Sequence, residues 1–437
     1  MIRRFKEYID RQHLFAQDEK VLAAVSGGAD SSVLCHLLHS AGFSFDIAHC
    51  NFNLRPGDCD RDEQFVRQMA ERYGVECHVA RFETRTYATA NHLSIEEAAR
   101  DLRYGYFKKL LAEHGYAVVA TAHHSDDSAE TFFINLMRGT GIAGLRGIPP
   151  RTGNVVRPML CFSRTDILSY AGQNGIDFVT DSTNSSLDYR RNRVRHQLLP
   201  LLREMAPGFD ATLARTIANL ADTELVYNES IENLRNRIVQ HTVEADILPI
   251  SGLTGLNPRR TLIFELLKPY GFNSATAAEI DATLDGQPGS VFLSPTHRLV
   301  RDRDALVVES LGTANPEQTF TTTVVDAAEV TPEMLRNSHL TAYFDADRVK
   351  MPLSMRPWRD GDRFTPFGMR GSRLVSDFLT GLKLNRFQKE RVRLLCDADG
   401  NILWVMGLRT ANQPRVTEDT KKVLKIKFQP KVPTPKD

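Results

Sequence analysis

The sequence predicts an α/β fold. Its first part is a parallel sheet covered by helices on both faces, followed by a mostly helical module and a small mixed α+β C-terminal domain. Three observations predict this. Short apolar runs alternate with amphipathic segments over residues 1–205, the pattern turns helical and polar-faced over 208–310, and short strands with a basic bias fill 340–430.

The elements follow in order. VLAAV is a strand and SSVLCHLLHSAG a helix; FDIAHC is a strand and DCDRDEQFVRQMAERYG a helix; VECHVA is a third strand. SIEEAARDLRYGYFKKLLAEHG is a helix opened by a capping box of Ser94 with Glu97, and AVVATA and DDSAETFFINLMRG supply the next strand and helix. Alternation at this length implies a parallel sheet with right-handed crossovers, so all strand C-terminal ends share one rim, where ligands bind in open α/β sheets. GFDATLARTIANLADTELVYNESIENLRNRIV is one long helix, PRRTLIFELLKPYG and SATAAEIDATLDG are two more, and HRLVRDRDALVVE is a hairpin. SLGTANPEQT reads as a linker and TFTTTVV as a strand beyond it; ILWVMGL is a strand, LVSDFLTGLKL holds a helix, and the tail KVPTPKD is expected to be disordered.

The bulk properties narrow the class. A chain of 437 residues, 42% hydrophobic and 25% charged, is long enough for two or three globular domains. It has no apolar run long enough to span a membrane, and its start lacks the apolar core of a secretion signal, so a cytoplasmic protein is expected. The six cysteines form no C-x-x-C pair, which argues against a disulfide framework or zinc finger and for buried thiols. The net charge of +1 conceals an asymmetry: residues 350–437 carry 19 Lys/Arg against 9 Asp/Glu, whereas 217–349 carry 10 against 19. A basic C-terminal segment attracts phosphates.

SGGADS follows the first strand and opens a helix. Gly27 and Gly28 let backbone N–H groups approach an anion, Ser26 and Ser31 add hydroxyls, and the helix N-terminus adds partial positive charge. A Walker loop would carry a lysine here; this loop carries Asp30 instead. A carboxylate beside a triphosphate calls for a bridging cation such as Mg²⁺, so the loop suits a pyrophosphate leaving group and attack at the α-phosphorus rather than γ-phosphoryl transfer. A second constellation, TAHHSDDSAETFFINLMRGTGIAGLRGI, starts at a strand end and enters a helix. An ordinary helix cap would explain Asp127 and Glu130 alone. With His123 and Asp126 at three- and four-residue spacings, the group gathers on one face of the first turns and can hold Mg²⁺ or an amine.

SGG-x-DS after the first strand resembles the pyrophosphate loop of the PP-loop ATP pyrophosphatases, which implies a Rossmann-like sheet and ATP binding by Ser26, Gly27, Gly28, Ala29, Asp30 and Ser31. AHHSDDSAET with RGTGIAGLRG resembles the more specific signature of the tRNA(Ile)-lysidine synthetase (TilS) family. IEEAARDLRY, RPML with SRTDI, and DSTNSSLDYRRNRVRHQLLP resemble further family elements in order and spacing. AHCNFNLR resembles H-x-N-H-x-LR except that Phe52 stands where a second His is common; RPWRDGDRFTPFG resembles a C-terminal stretch, after which the family's lysines are represented here by Arg373 alone.

The resemblance implies adenylation of the wobble cytidine of a tRNA(Ile) with anticodon CAU, then attack by the ε-amine of free L-lysine. It implies catalytic roles for Asp30, His123, Asp126, Asp127 and Glu130, with Asp30 and Asp127 as Mg²⁺ ligands. Arg100, Arg103, Arg190 and Arg193 are candidates for the lysine carboxylate or phosphates. Arg356, Arg359, Arg363, Arg370, Arg373, Lys383 and Arg386 are candidates for tRNA contact. The expected partners are that tRNA and lysine, with no membrane and with a homodimer left open. Three other readings are an RNA thiolase, which calls for the absent C-x-x-C pairs, a small-molecule synthetase, which has no use for the basic end, and an inactive RNA-binding protein, which has no use for SGGADS.

Overall fold

The computed structural model describes residues 1–54, 57–179, 190–312, 318–336 and 339–430. Arg55, the segment 181–189, half of the expected linker and the tail lie outside the described residues. The chain divides into two compact units, Met1–Asn228 and Glu229–Asp437.

The first unit is built on a six-stranded sheet: β1 (Val21–Ala24), β2 (Phe45–Asn51), β3 (Cys77–Arg81), β4 (Val118–Ala120), β5 (Arg151–Thr152) and β6 (Val155–Val156), in spatial order β3-β2-β1-β4-β6-β5. All neighbours pair in parallel except the β5–β6 hairpin at one edge. The helices are α1 (Ile2–Arg11), α2 (Ala29–Ser40), α3 (Asp58–Tyr73), α4 (Thr84–Ala90), α5 (Ile95–His114), α6 (Ser125–Met137), α7 (Ile142–Leu145), α8 (Arg164–Gln173), α9 (Arg190–Arg193), α10 (Leu199–Met205) and α11 (Phe209–Ile238), with a π-helical turn at Val194–Leu198 between α9 and α10.

The sheet is covered on both faces, and the period-two alternation of β1 shows why. Val21 and Ala23 join one core with α1, α2, α3 and α8, whereas Leu22 joins the other with Phe107 and Leu110 of α5. α5 opens with the expected capping box: Ser94 Oγ accepts from Glu97 N, and Glu97 accepts from Ser94 N at 2.9 Å. Strand order reverses at β1, which pairs with β2 on one side and β4 on the other. The crevice of an open α/β sheet lies at such a switch point, so the turns after β1 and after β4 face each other across it.

In the second unit the helices Arg259–Leu267 and Ser274–Thr283 pack with the end of α11 around Leu248, Leu266, Leu267, Ile280 and Leu299. The expected hairpin, His297–Arg301 with Ala305–Ser310, belongs to a five-stranded antiparallel sheet. Its other strands are two to four residues long, too short for any periodicity to be read from sequence. Beyond it, Gln318–Asp326 pairs with Lys422–Pro430, and Ser354–Pro357, Arg393–Cys396, Ile402–Val405 and Arg409–Thr410 form a four-stranded antiparallel sheet beside the helix Val375–Gly381. Among the described residues no helix is long and apolar enough to cross a membrane. The six cysteines are free thiols, with Cys35 and Cys396 buried and the other four partly covered.

Candidate active site

The turn after β1 presents bare backbone donors. Val25 still pairs with β2 through its N–H to Ala48 O, 2.9 Å. Gly27 then takes φ +90°, a left-handed conformation that favours glycine, and Gly28 caps α2 in extended backbone. Because Gly28 has no side chain, no cap side chain occupies the first-turn N–H groups of α2, and they stay available to an anion. Ser31 Oγ ties the loop down, donating to Gly28 O at 3.0 Å and accepting from Ser26 N at 3.3 Å. Val179 N donates to Gly27 O at 2.9 Å, so the chain leading to residue 180 is fastened to the same loop.

The turn after β4 brings the carboxylates. His124 starts α6, and Asp127 Oδ2 accepts from His124 N at 3.0 Å, which fixes the first turn. The buried His124 ring sits among three carboxylates: Nε2 is 3.9 Å from Asp30 Oδ1 and 3.5 Å from Asp127 Oδ2, and Nδ1 is 3.7 Å from Asp126 Oδ2. The PP-loop acid and the α6 acids therefore form one cluster across the switch point.

Each carboxylate of the cluster is met by arginine. Arg164, at the start of α8, pairs with Asp30, and its backbone N–H donates to Asp126 Oδ2 at 2.8 Å. Arg203 Nη2 donates to Asp126 Oδ1 at 2.6 Å. Glu130, fully buried, accepts from Arg191 Nε at 2.7 Å and Arg195 Nε at 2.5 Å, and both guanidinium groups extend to Asp127 Oδ1, at 3.2 and 3.4 Å. Burial alone would raise the Asp126 carboxyl, but the bonds from Arg164 N and Arg203 and the neighbouring positive charge outweigh it and hold Asp126 below the ordinary carboxylate range. His123 goes the other way: burial pushes its imidazole down to about 4, so the ring is neutral at physiological pH, with Nδ1 3.0 Å from Thr121 Oγ1.

The sequence-predicted residues fall into distinct places. Ser26, Gly27, Gly28, Ala29, Asp30, Ser31, His123, Asp126, Asp127 and Glu130 all lie on the two facing turns and the helices they open. Arg100 and Arg103 are exposed on α5, stacked over the rings of Tyr104 and Phe52 at 4.8 and 5.2 Å. Arg190 and Arg193 are exposed on α9, and among the described residues neither pairs with a carboxylate. The guanidinium groups that reach the cluster are instead Arg164, Arg191, Arg195 and Arg203, which sequence reasoning did not single out, as it did not assign a role to His124. Arg191 and Arg195 sit four residues apart and both meet Glu130, a choice that the spacing within RRNRVR alone does not make. His49 is buried with Nδ1 2.8 Å from Val25 O, and Asn51 donates to Glu63 Oε2 at 3.1 Å, so both brace the rim from β2.

In the second unit, Arg359, Arg363, Arg370, Lys383 and Arg386 are exposed. Arg356 is clamped by Asp362 through two bonds of 2.8 Å, and Arg373 donates to Asp377 O at 2.9 Å.

The donor set fits a magnesium ion carried by a triphosphate. Asp30 Oδ1 is buried without a hydrogen-bond partner, an acceptor that calls for a cation. Asp127 has both oxygens engaged, by His124 N and by the two arginines, so Asp30 is the better-placed ligand of the two.

Comparison with known proteins agrees with this geometry. A PP-loop domain matches residues 1–202, a TilS substrate binding domain residues 242–311, and a TilS substrate C-terminal domain residues 353–427. The chain is 44% identical to the tRNA(Ile)-lysidine synthase of Bacteroides thetaiotaomicron over 96% of its own length and 98% of the relative's. It is 41% identical to that of Parabacteroides distasonis, covering 98% and 100%. It is 35% identical to that of Porphyromonas gingivalis strain W83, covering 97% and 98%. Carrying a lysine-free phosphate loop opposite an arginine-compensated carboxylate cluster, and matched along its whole length, the chain belongs to the tRNA(Ile)-lysidine synthase family.

Proposed function

We propose that this protein is a cytoplasmic ligase that uses ATP to join the ε-amine of free L-lysine to C2 of the wobble cytidine in a tRNA(Ile) with anticodon CAU. The product reads AUA instead of AUG. The observation that carries the reading is the meeting of Asp30, from the phosphate loop, with Asp126 and Asp127 around His124, in a chain of this family.

The chemistry follows from the donors and acceptors. The free N–H groups at the start of α2, with Ser26 and Ser31, bind the β- and γ-phosphates and stabilise the charge that grows on pyrophosphate as it leaves. Mg²⁺ on Asp30 would supply charge neutralisation at the phosphates. The cytidine O2 attacks the α-phosphorus, the α–β phosphoanhydride bond breaks, and pyrophosphate departs. The lysine ammonium gives up a proton to solvent, the free amine attacks C2, the C2–O bond breaks and AMP leaves. Asp126 and Asp127 of α6 supply acceptors for the incoming ammonium, and Arg191 and Arg195, braced on the buried Glu130, supply cations for its α-carboxylate. His123, neutral through burial, accepts a hydrogen bond without adding charge. The base leaves its stack to reach the site, and the exposed arginines of the second unit are the candidates for holding the tRNA body through phosphates.

The test measures pyrophosphate release with Mg-ATP, lysine and a CAU-anticodon tRNA(Ile) transcript, against a transcript with uridine at the wobble position. Release that requires the cytidine, with labelled lysine becoming tRNA-bound, is the expected outcome. Release without RNA would replace this reading by a small-molecule synthetase.

A further inference from the structure

At the strand N-terminal ends of the first unit, opposite the phosphate loop, lies a second polar cluster that the proposed chemistry does not use. Lys20, Asp46, Glu76 and Tyr116 stand at or just before the starts of β1, β2, β3 and β4, with His78 on β3 and His114 at the end of α5. Glu76, His78 and His114 each offer a ligand atom within 4.8 Å of the other two.

The hydrogen bonds fix which nitrogen of His78 is available. Asp46 acts as acceptor throughout, taking Glu76 N at 2.9 Å on Oδ1, and Lys20 Nζ at 2.5 Å and Tyr116 OH at 2.6 Å on Oδ2. Tyr116 has one proton and gives it to Asp46. Its oxygen, 2.7 Å from His78 Nε2, must therefore accept from that nitrogen. The neutral ring thus carries Nε2–H and leaves a bare lone pair on Nδ1. That lone pair faces Glu76 Oε1 at 3.6 Å, beyond hydrogen-bonding distance. Two acceptors facing each other repel unless a cation lies between them. Two ligands on a tetrahedral zinc-type ion, at bond lengths of about 2.0–2.1 Å, stand about 3.3–3.5 Å apart, close to the spacing seen here. The His114 ring approaches with its centroid 4.4 Å from that of His78, inclined at 51° rather than stacked.

We propose that Glu76, His78 Nδ1 and His114 form a binding site for a divalent first-row transition ion of the zinc class, completed by solvent. Two imidazoles and one carboxylate are the donors such an ion prefers over Mg²⁺. The Asp46–Tyr116–His78 chain is the outer support that orients a metal-bound histidine. The ion would staple the start of β3 to the end of α5, distant in sequence, at the end of the sheet away from the reaction.

The experiment uses the full chain with Zn²⁺ as probe in excess Mg²⁺, counting bound zinc by equilibrium dialysis. His114 and Glu76 are exposed, so His114→Ala and Glu76→Gln leave the core untouched. The expected result is one zinc fewer per chain in His114→Ala than in the wild type. Tyr116→Phe should weaken that zinc by about 10–100-fold, as outer-support losses do. Nitrogen NMR should show His78 Nδ1 shifting on zinc addition while Nε2 keeps its proton. Equal zinc counts in wild type, His114→Ala and Glu76→Gln would overturn the proposal, as would a His78 ring carrying its proton on Nδ1.

Discussion

Glu130 is the residue on which most of the site's charge balance rests. Its carboxylate is inaccessible to solvent and receives bonds from both Arg191 and Arg195. Glu130→Gln keeps the shape but turns an amide N–H₂ toward a guanidinium, and removing one partner of a buried ion pair costs about 3–5 kcal/mol. Both arginines retain some solvent access, so about 3 kcal/mol is expected. Urea unfolding followed by circular dichroism checks this; a loss below about 1 kcal/mol would mean the arginines simply resolvate. His123 makes a second prediction. Its pKa is about 4 folded against 6.5 unfolded, so below 6.5 the unfolded chain binds the extra proton. Stability is complete above pH 6.5 and falls as pH drops toward 4, by about 3 kcal/mol at most. Comparing wild type with His123→Gln at pH 7.5, 5.5 and 4.5 isolates the effect: the wild type should lose more on acidification, and parallel losses would remove the assignment.

At the scale of elements, the phosphate loop was legible in the sequence because its demands are local. An apolar strand, two glycines and a hydroxyl at a helix start are written in eleven consecutive residues, Val21 to Ser31, and the structure forms that turn. The arginine half of the site was not legible, because Arg164, Arg191, Arg195 and Arg203 find their acids only through tertiary packing, across 38 to 134 residues. Choosing among RRNRVR from sequence requires the helical phase, and a π-helical turn begins at Val194. The loop itself yields a paired prediction. A methyl group on Gly27 would meet Phe65 at an ordinary 3.5 Å, so the penalty of Gly27→Ala lies in its left-handed backbone, about 1–2 kcal/mol. Gly28 has ordinary extended φ, and its added methyl meets only Ser26 Oγ at 3.6 Å. Gly28→Ala should therefore leave the melting temperature within about a degree while weakening ATP by about tenfold or more, because the methyl enters the space the phosphates would fill. Equal melting and unchanged ATP affinity would place the phosphates elsewhere.

Across the whole molecule, charge is segregated: residues 350–437 hold 19 Lys/Arg against 9 Asp/Glu in a chain of net charge +1. If this segment holds tRNA through phosphates, affinity must fall with salt in proportion to the phosphates neutralised. The candidates separate by what already binds them. Arg356 is held by both oxygens of Asp362, whose carboxyl that guanidinium draws below its ordinary range, so Arg356→Ala should destabilise the second unit while leaving the salt slope nearly unchanged. Arg370 and Lys383 are exposed and make no ion pair among the described residues, so each is open to a phosphate. Replacing either by alanine should weaken tRNA binding similarly for cognate and non-cognate transcripts, and should flatten the log K against log salt slope by about 0.7–0.9. Filter binding between 50 and 300 mM salt measures both. An unchanged slope for both Arg370→Ala and Lys383→Ala, with cytidine-dependent pyrophosphate release intact, would remove these two residues from the RNA-binding surface and leave the discrimination of tRNA to other parts of the chain.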